Sequence, residues 1–177
     1  MNSKQLVVNF YGGPSCGKST MASRLFSELK SRDIKCEYVT EYAKEVTYTE
    51  DWNKLSDQLY ITAKQNRRMN ILSGKVDVII TDSPILLGRH YAPVEYLSGT
   101  FGVLVMELYN TYNNINIVLN RKKKYQEYGR TQTELEAHQI DSDLEELLIK
   151  QNLPYDKFDG NFDSIDGIIE IITERLK

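Results

Sequence analysis

Histidine, cysteine and proline are scarce in this chain, with two, two and four among 177 residues, and there is one tryptophan. Cys16 and Cys36 have no partner histidines at ligand spacing, so neither a zinc site nor a disulfide framework is expected. Both read as free thiols in a reducing compartment. His90 and His138 lack an acid, thiol or second histidine at a useful spacing and are assigned no catalytic role. No apolar run is long enough to span a bilayer, and no charged n-region leads into an apolar h-region. That absence excludes a membrane segment and a secretory signal, and the expectation is a cytoplasmic protein. Repeats, low-complexity tracts and Pro/Ser-rich linkers are missing too. With 41% hydrophobic residues the chain suffices for one core and is too short for two ordinary domains, so 1–177 reads as a single domain. Strong charge of one sign is also lacking. A net charge of −3 argues against a broad basic face for nucleic acid, although a local basic segment exists.

What is present is an octapeptide at 12–19, Gly12-Gly13-Pro14-Ser15-Cys16-Gly17-Lys18-Ser19, which fits GxxxxGK[ST] at every fixed position. The apolar run Leu6 to Tyr11 leads into it and a helix-forming stretch from Met21 follows. Glycines at those positions let backbone N–H groups turn inward around a β-phosphate. Lys18 then reaches the β- and γ-phosphates, Ser19 offers a hydroxyl to Mg²⁺, Thr20 follows in the first helical turn, and the helix N-terminus faces the anion. Binding of a nucleotide such as ATP follows from this motif.

Strand-like runs at 6–11, 36–40, 77–81, 115–119 and, more weakly, 155–158 alternate with helical patterns at 18–30, 54–73, 94–113, 132–151 and 164–176. Alternation of this kind predicts an α/β fold with a parallel sheet covered on both faces, and ligands beyond the carboxyl ends of its strands.

The residues just after each strand are therefore the candidates. Asp82 follows the third run and reads as a carboxylate for Mg²⁺ opposite Ser19, or as a cap of the turn at Ser83-Pro84. Glu41 follows the second. It reads as the base that accepts a proton from an attacking hydroxyl, or as a helix N-terminal carboxylate stabilised by the macrodipole, and spacing does not choose. In helix 54–73, Leu55, Leu59, Ala63, Asn66 and Met69 share one stripe and Tyr60, Lys64 and Arg67 an adjacent one, with Gln65 and Arg68 at i, i+3. Lys64 reads as solvated, while Tyr60, Gln65, Arg67 and Arg68 are candidates for binding an acceptor. After the fourth run, Arg121-Lys122-Lys123-Lys124-Tyr125 leads to Gly129-Arg130-Thr131. This segment, about 120–131, reads as a lid from which Arg121 and Arg130 close over a transferring phosphoryl group. The alternative is a grip on a nucleic-acid backbone, disfavoured by the acidic residues Glu134, Glu136, Asp141 and Asp143 that follow at once. Phe162, in the loop after the last run, lies along a nucleotide base or belongs to the core. The twelve tyrosines fit either a stacking pocket or a subunit interface, and the oligomeric state stays open.

Together, the phosphate loop, Val39-Thr-Glu41-Tyr42-Ala43-Lys44, Ile80-Thr-Asp82-Ser83-Pro84 and the Arg-x8-Arg lid resemble a small P-loop kinase of the AAA_28 type. That grouping includes the ribosylnicotinamide kinase domain of bacterial NAD-biosynthesis regulators and many phage-encoded proteins. The resemblance extends to Leu153-Pro154-Tyr155 and implies a P-loop NTPase three-layer sandwich with five parallel strands and a short lid. It implies ATP- and Mg²⁺-dependent transfer to a nucleoside, nucleotide or nicotinamide riboside-like acceptor. If the chain is phage-encoded, it implies the host cytoplasm. Deoxynucleoside kinases are similar in part, with Glu41 as base and Gln65 reading the nucleobase, but Asp82-Ser83-Pro84 departs from their Asp/Glu-Arg-Ser motif. A kinase acting on a modified base or end of DNA, and an ATPase that drives a partner, remain as alternatives.

Overall fold

The computed structural model describes residues 5–97, 99–122, 124–126 and 132–177. In chain order these form β1 (Leu6–Tyr11), α1 (Lys18–Ser31), β2 (Cys36–Val39), α2 (Tyr42–Tyr48), α3 (Trp52–Ser56), α4 (Gln58–Asn70), β3 (Val78–Thr81), α5 (Leu87–Tyr91) and α6 (Val94–Leu97). Then come α7 (Thr100–Asn110), β4 (Asn113–Asn120), α8 (Glu134–Lys150), β5 (Asp156–Asp159) and α9 (Ile165–Leu176). All four strand pairings are parallel and the order is β2-β3-β1-β4-β5. The expected α/β architecture is therefore present, with β1 at the centre.

Alternation along β1 builds the three layers, because successive side chains leave opposite faces of a strand. Leu6, Val8 and Phe10 pack with Leu25 and Leu29 of α1 and with Ile168 and Ile172 of α9. Val7 and Tyr11 turn the other way, toward Met69 of α4, Val105 of α7 and Leu144 and Leu148 of α8. Every residue of β1 is buried, as expected for the central strand of a sheet covered on both sides. The phosphate loop thus leaves from the fully buried central strand.

The strands lie within two residues of their expected limits; the helices need correction. The pattern at 54–73 is two helices, broken at Asp57, whose carboxylate accepts the Tyr60 N–H at 2.9 Å and starts α4. The pattern at 94–113 is likewise divided into α6 and α7, and α2 and α5 carry no clear periodic signal. Helices this short are marginal alone, and tertiary contacts hold them. For α8 the start is legible: Thr133 and Glu136 form a reciprocal capping box, and those bonds hold the Glu136 carboxyl below its ordinary range. No helix among the described residues is long and apolar enough to cross a membrane.

Candidate active site

Between β1 and α1 the loop 12–19 turns with positive φ at Gly12, Ser15 and Gly17. Lys18, the first residue of α1, folds back over it, and its Nζ donates to the carbonyls of Gly12 at 2.6 Å and Gly13 at 3.1 Å. The ammonium is thereby held above the loop, where a phosphate chain would lie.

A second clamp comes from α8. Asp141 Oδ1 accepts the Gly13 N–H at 2.5 Å, and Asp141 Oδ2 pairs with Arg121 at 2.9 Å to Nη2 and 3.0 Å to Nε. Arg121 also donates through Nη1 to the Pro14 carbonyl at 2.7 Å. The approach is so close that a Cβ at Gly13 would lie 2.3 Å from the Ala137 carbonyl oxygen, so only glycine fits there. Arg121, whose side chain is 9% exposed, sits against the phosphate loop with its guanidinium committed to Asp141 and Pro14. Asp141 was legible only as one acid on a solvated helix, since the carboxylate meets the loop through tertiary packing alone. Asp141→Asn keeps an acceptor for the Gly13 amide but leaves a largely buried guanidinium without its charge partner. The expected cost is roughly 2 kcal/mol, read as a lower urea midpoint at unchanged m-value.

The segment after β4 makes two further contacts, one to the same loop and one to β5. Ser15 Oγ exchanges hydrogen bonds with the Gln126 backbone at 3.0 and 3.1 Å. Lys122, first of the lysine run, pairs with Asp159 at 3.1 Å. Arg130, together with Lys123 and the rest of 127–131, lies outside the described residues.

Ser19 and Asp82 meet at Tyr38, which sequence reasoning missed. The Tyr38 phenol is pushed well above its ordinary range, first by burial and then by the Asp82 carboxylate, while Ser19 pulls the other way. Asp82 is buried, and its Oδ1 has no hydrogen-bond partner among the described residues. A carboxylate oxygen left so is costly unless a cation takes it, and a hydroxyl beside a carboxylate offers oxygen donors that suit a hard divalent ion.

One cavity of about 250 Å³ opens beside the loop, lined in part by Gly12, Pro14, Lys18, Glu41, Ser83 and Pro84. Glu41 is the N-cap residue of α2, yet its side chain makes no capping bond there. Gln65 Oε1 instead accepts the Tyr42 N–H at 3.0 Å, and Gln65 Nε2 donates to Thr81 Oγ1 at 3.3 Å. Gln65 lines the cavity, with much of its amide committed to the β2–α2 turn and Thr81. Lys44, Gln58 and Thr62 join it in the lining.

Three expected acceptor residues lie elsewhere. Tyr60 is hydrogen-bonded to the Tyr42 hydroxyl at 3.0 Å beneath Lys64. Arg68 pairs with Glu45, donates to the Thr40 carbonyl and stacks on the Tyr42 ring. Arg67 is exposed. Helical geometry explains the correction: at about 100° per residue, Tyr60, Lys64 and Arg67 fall opposite Gln58, Thr62 and Gln65. The buried stripe of α4 is Gln58, Ile61, Thr62, Gln65 and Met69, and Leu59 is 51% exposed. Beyond β5, Gly160 backs onto the Cys16 carbonyl, and Phe162 is exposed with the Arg24 guanidinium 5.6 Å from its ring centroid, which removes the core reading.

The fold has a counterpart among known proteins. A crystal structure of NadR in complex with NR (nicotinamide riboside) matches at a TM-score of 0.72 and 20% identity. The match covers 96% of this chain and 52% of that one, so this chain spans about half of NadR and the likeness is one of fold. No curated protein matches in sequence. The AAA_28 family model, described as an AAA domain, matches residues 7–163, from β1 to the loop after β5, and the chain belongs to that family of P-loop kinases and NTPases.

Proposed function

We propose that the chain is an ATP- and Mg²⁺-dependent kinase that phosphorylates a hydroxyl of a nucleoside-like small molecule without a phosphate. One observation carries the reading: Lys18 of the phosphate loop and Glu41 at the end of β2 line the same cavity, so a phosphate binder and a carboxylate face one space. A motor or switch would need no such chamber for a second substrate.

In this mechanism the loop amides and Lys18 bind the triphosphate, and Arg121, committed to Asp141 and the Pro14 carbonyl, braces the loop from behind. Ser19 and Asp82 hold Mg²⁺, which neutralises charge on the phosphate oxygens when bound. Glu41 orients the acceptor hydroxyl and takes its proton. The hydroxyl oxygen forms the new bond to the γ-phosphorus, the bond from that phosphorus to the β,γ-bridging oxygen breaks, and ADP leaves with the electron pair. Positioning and fixed charge supply the catalysis.

The cavity wall favours an acceptor without a phosphate over a nucleoside monophosphate. Lys44 stands on the lining, but no arginine among the described residues does, and Arg68 is committed to Glu45. Recognition of a phosphate monoester usually employs the bidentate guanidinium fork. NadR, whose structure holds NR, supports the same class.

The test is ATP consumption with Mg²⁺ in the presence of ribonucleosides, deoxynucleosides, their monophosphates, nicotinamide riboside and short hydroxymethylated DNA. Stimulation by a nucleoside is expected, with its monophosphate inert. Slow hydrolysis indifferent to every acceptor would replace the kinase with an NTPase, and stimulation by DNA alone would return the lysine run to the site.

A further inference from the structure

The turns that carry Glu41 and Asp82 follow neighbouring strands. β2 and β3 run parallel, and their paired register ends with Val39 opposite Thr81. Glu41 follows that last pair on one side and Asp82 on the other, and past it side chains set how the two turns sit against each other. Thr81 also stands opposite Asn9 of β1, the strand that leads into the phosphate loop.

Gln65 of α4 spans the gap between the turns. It is 3% exposed, and both ends of its amide hold protein. The Tyr42 N–H, which can only donate, meets Oε1 at 3.0 Å and so fixes the orientation of the amide. Nε2 is thereby turned to Thr81 Oγ1, to which it donates at 3.3 Å. The same Thr81 oxygen accepts the Ser83 N–H at 3.1 Å, a threonine turn that shapes the backbone on either side of Asp82. Thr81 and Ser83 are buried, so water does not compete for these bonds. A single side chain therefore connects the peptide that follows Glu41 to the end of β3.

Helix capping explains only half of this arrangement. α2 begins at Tyr42, and its first amide needs an acceptor, which Gln65 supplies where Glu41 makes no capping bond. That role uses Oε1 alone. It leaves the second bond, across to β3, with no purpose beyond satisfying the amide.

We propose that Gln65 is a positioning residue for the reaction: by tying the β2–α2 turn to the end of β3, it holds the Glu41 carboxylate where the acceptor hydroxyl meets the phosphate loop. The inference rests on the kinase reading above. Gln65 acts through Glu41, and this role takes the place of the acceptor contact expected from the sequence. Its reference point is β1, since Thr81 is in register with the strand from which the phosphate loop departs. Placement matters at this scale, because a shift of about 1 Å at a reacting group costs on the order of a hundredfold in rate.

The experiment compares wild type, Q65M, T81V and T81S in ATP turnover with Mg²⁺ and adenosine, thymidine or nicotinamide riboside, alongside thermal unfolding and amide exchange at Tyr42 without ligand. Methionine keeps the length and helix preference of glutamine and removes both hydrogen bonds. Q65M is expected to lower acceptor-dependent kcat about a hundredfold, with the KM for acceptor and for ATP within about threefold of wild type. T81V leaves the Tyr42 N–H its acceptor and removes only the far anchor. It is expected to show the same fall in kcat with the Tyr42 amide still protected, while T81S, which restores the hydroxyl, turns over like wild type. Because Gln65 acts through Glu41, adding Q65M to E41Q lowers transfer by less than about threefold further. A residue that merely caps α2 would leave T81V at the wild-type rate, and that result overturns the proposal. So does a raised acceptor KM at unchanged kcat in Q65M, the mark of a residue that reads the acceptor, and so does an undiminished loss when Q65M is added to E41Q. Failure of both Q65M and T81V to fold overturns it too, since the pair would then serve stability. A wild type indifferent to all three nucleosides overturns the kinase reading and this inference with it.

Discussion

Lys18→Ala is expected to lower kcat/KM for ATP by at least about a thousandfold, on the order of 4 kcal/mol of transition-state stabilisation at 1.36 kcal/mol per decade. The fold survives the change. Lys18 opens α1 and is only partly buried, alanine is a strong helix former, and the core contacts of α1 come from Met21, Ala22, Leu25 and Leu29. What disappears is the side chain that donates to the loop carbonyls of Gly12 and Gly13. Fixed above the loop by those bonds, its charge is already in place when the γ-phosphoryl group develops its own. Lysine is a compact point charge on a flexible stem, so Lys18→Arg is expected to fail as well, because the planar guanidinium cannot satisfy both carbonyls in the same space. Steady-state turnover beside a melting curve checks both variants. A Lys18→Ala enzyme within tenfold of wild type would remove the ammonium from the mechanism.

How much of this was legible in the sequence depends on which interactions are local. The phosphate loop is contiguous, so its motif, strand and helix are all visible within about twenty-five residues. The inner strands are visible because a sheet buried on both faces needs apolar runs, while the edge strand β5, Asp156–Asp159, has no buried residue and gives only a weak signal. Asp82 and Glu41 could be found because strand ends in a parallel sheet point to one edge. Asp141 could not: it sits among acids on α8 and acquires its role only where that helix crosses Gly13. Nor could Tyr38, which looks like an ordinary strand residue until its hydroxyl is placed beside Asp82 and Ser19.

Helix α4 misled for a physical reason. Periodicity analysis assumes that the buried face is the apolar one, and here the buried face lines a chamber for a polar molecule. Gln58, Thr62 and Gln65 therefore occupy core-facing positions, while Leu59 is on the surface. The arginines assigned to the acceptor from composition fall on or near the outer face, where Arg68 secures α2 through Glu45. A helix whose best apolar stripe is weak, yet which is long enough to be well formed, is a signal that its polar stripe faces something other than water.

Glu41→Gln is expected to lower acceptor-dependent turnover by about a hundred- to ten-thousandfold while leaving the KM for ATP within about threefold of wild type. The competing role for this carboxylate, closing the N-terminus of α2, is filled by another residue: Gln65 accepts the Tyr42 N–H, and Glu41 makes no capping bond. Replacing the acid with its amide isostere therefore leaves the helix start intact. It removes from the cavity a group able to accept a proton, while phosphate binding, which belongs to the loop and Lys18, continues. The split between turnover and ATP affinity is the diagnostic quantity, because a helix-stabilising carboxylate would change the melting temperature and leave turnover nearly intact. Background ATP hydrolysis provides the internal control, since attack by water does not require the acceptor to be oriented. It is expected to fall less than transfer does, so the ratio of transfer to hydrolysis drops in Glu41→Gln and stays constant in variants that merely weaken the fold. Full acceptor-dependent turnover in Glu41→Gln would leave the reaction without its base.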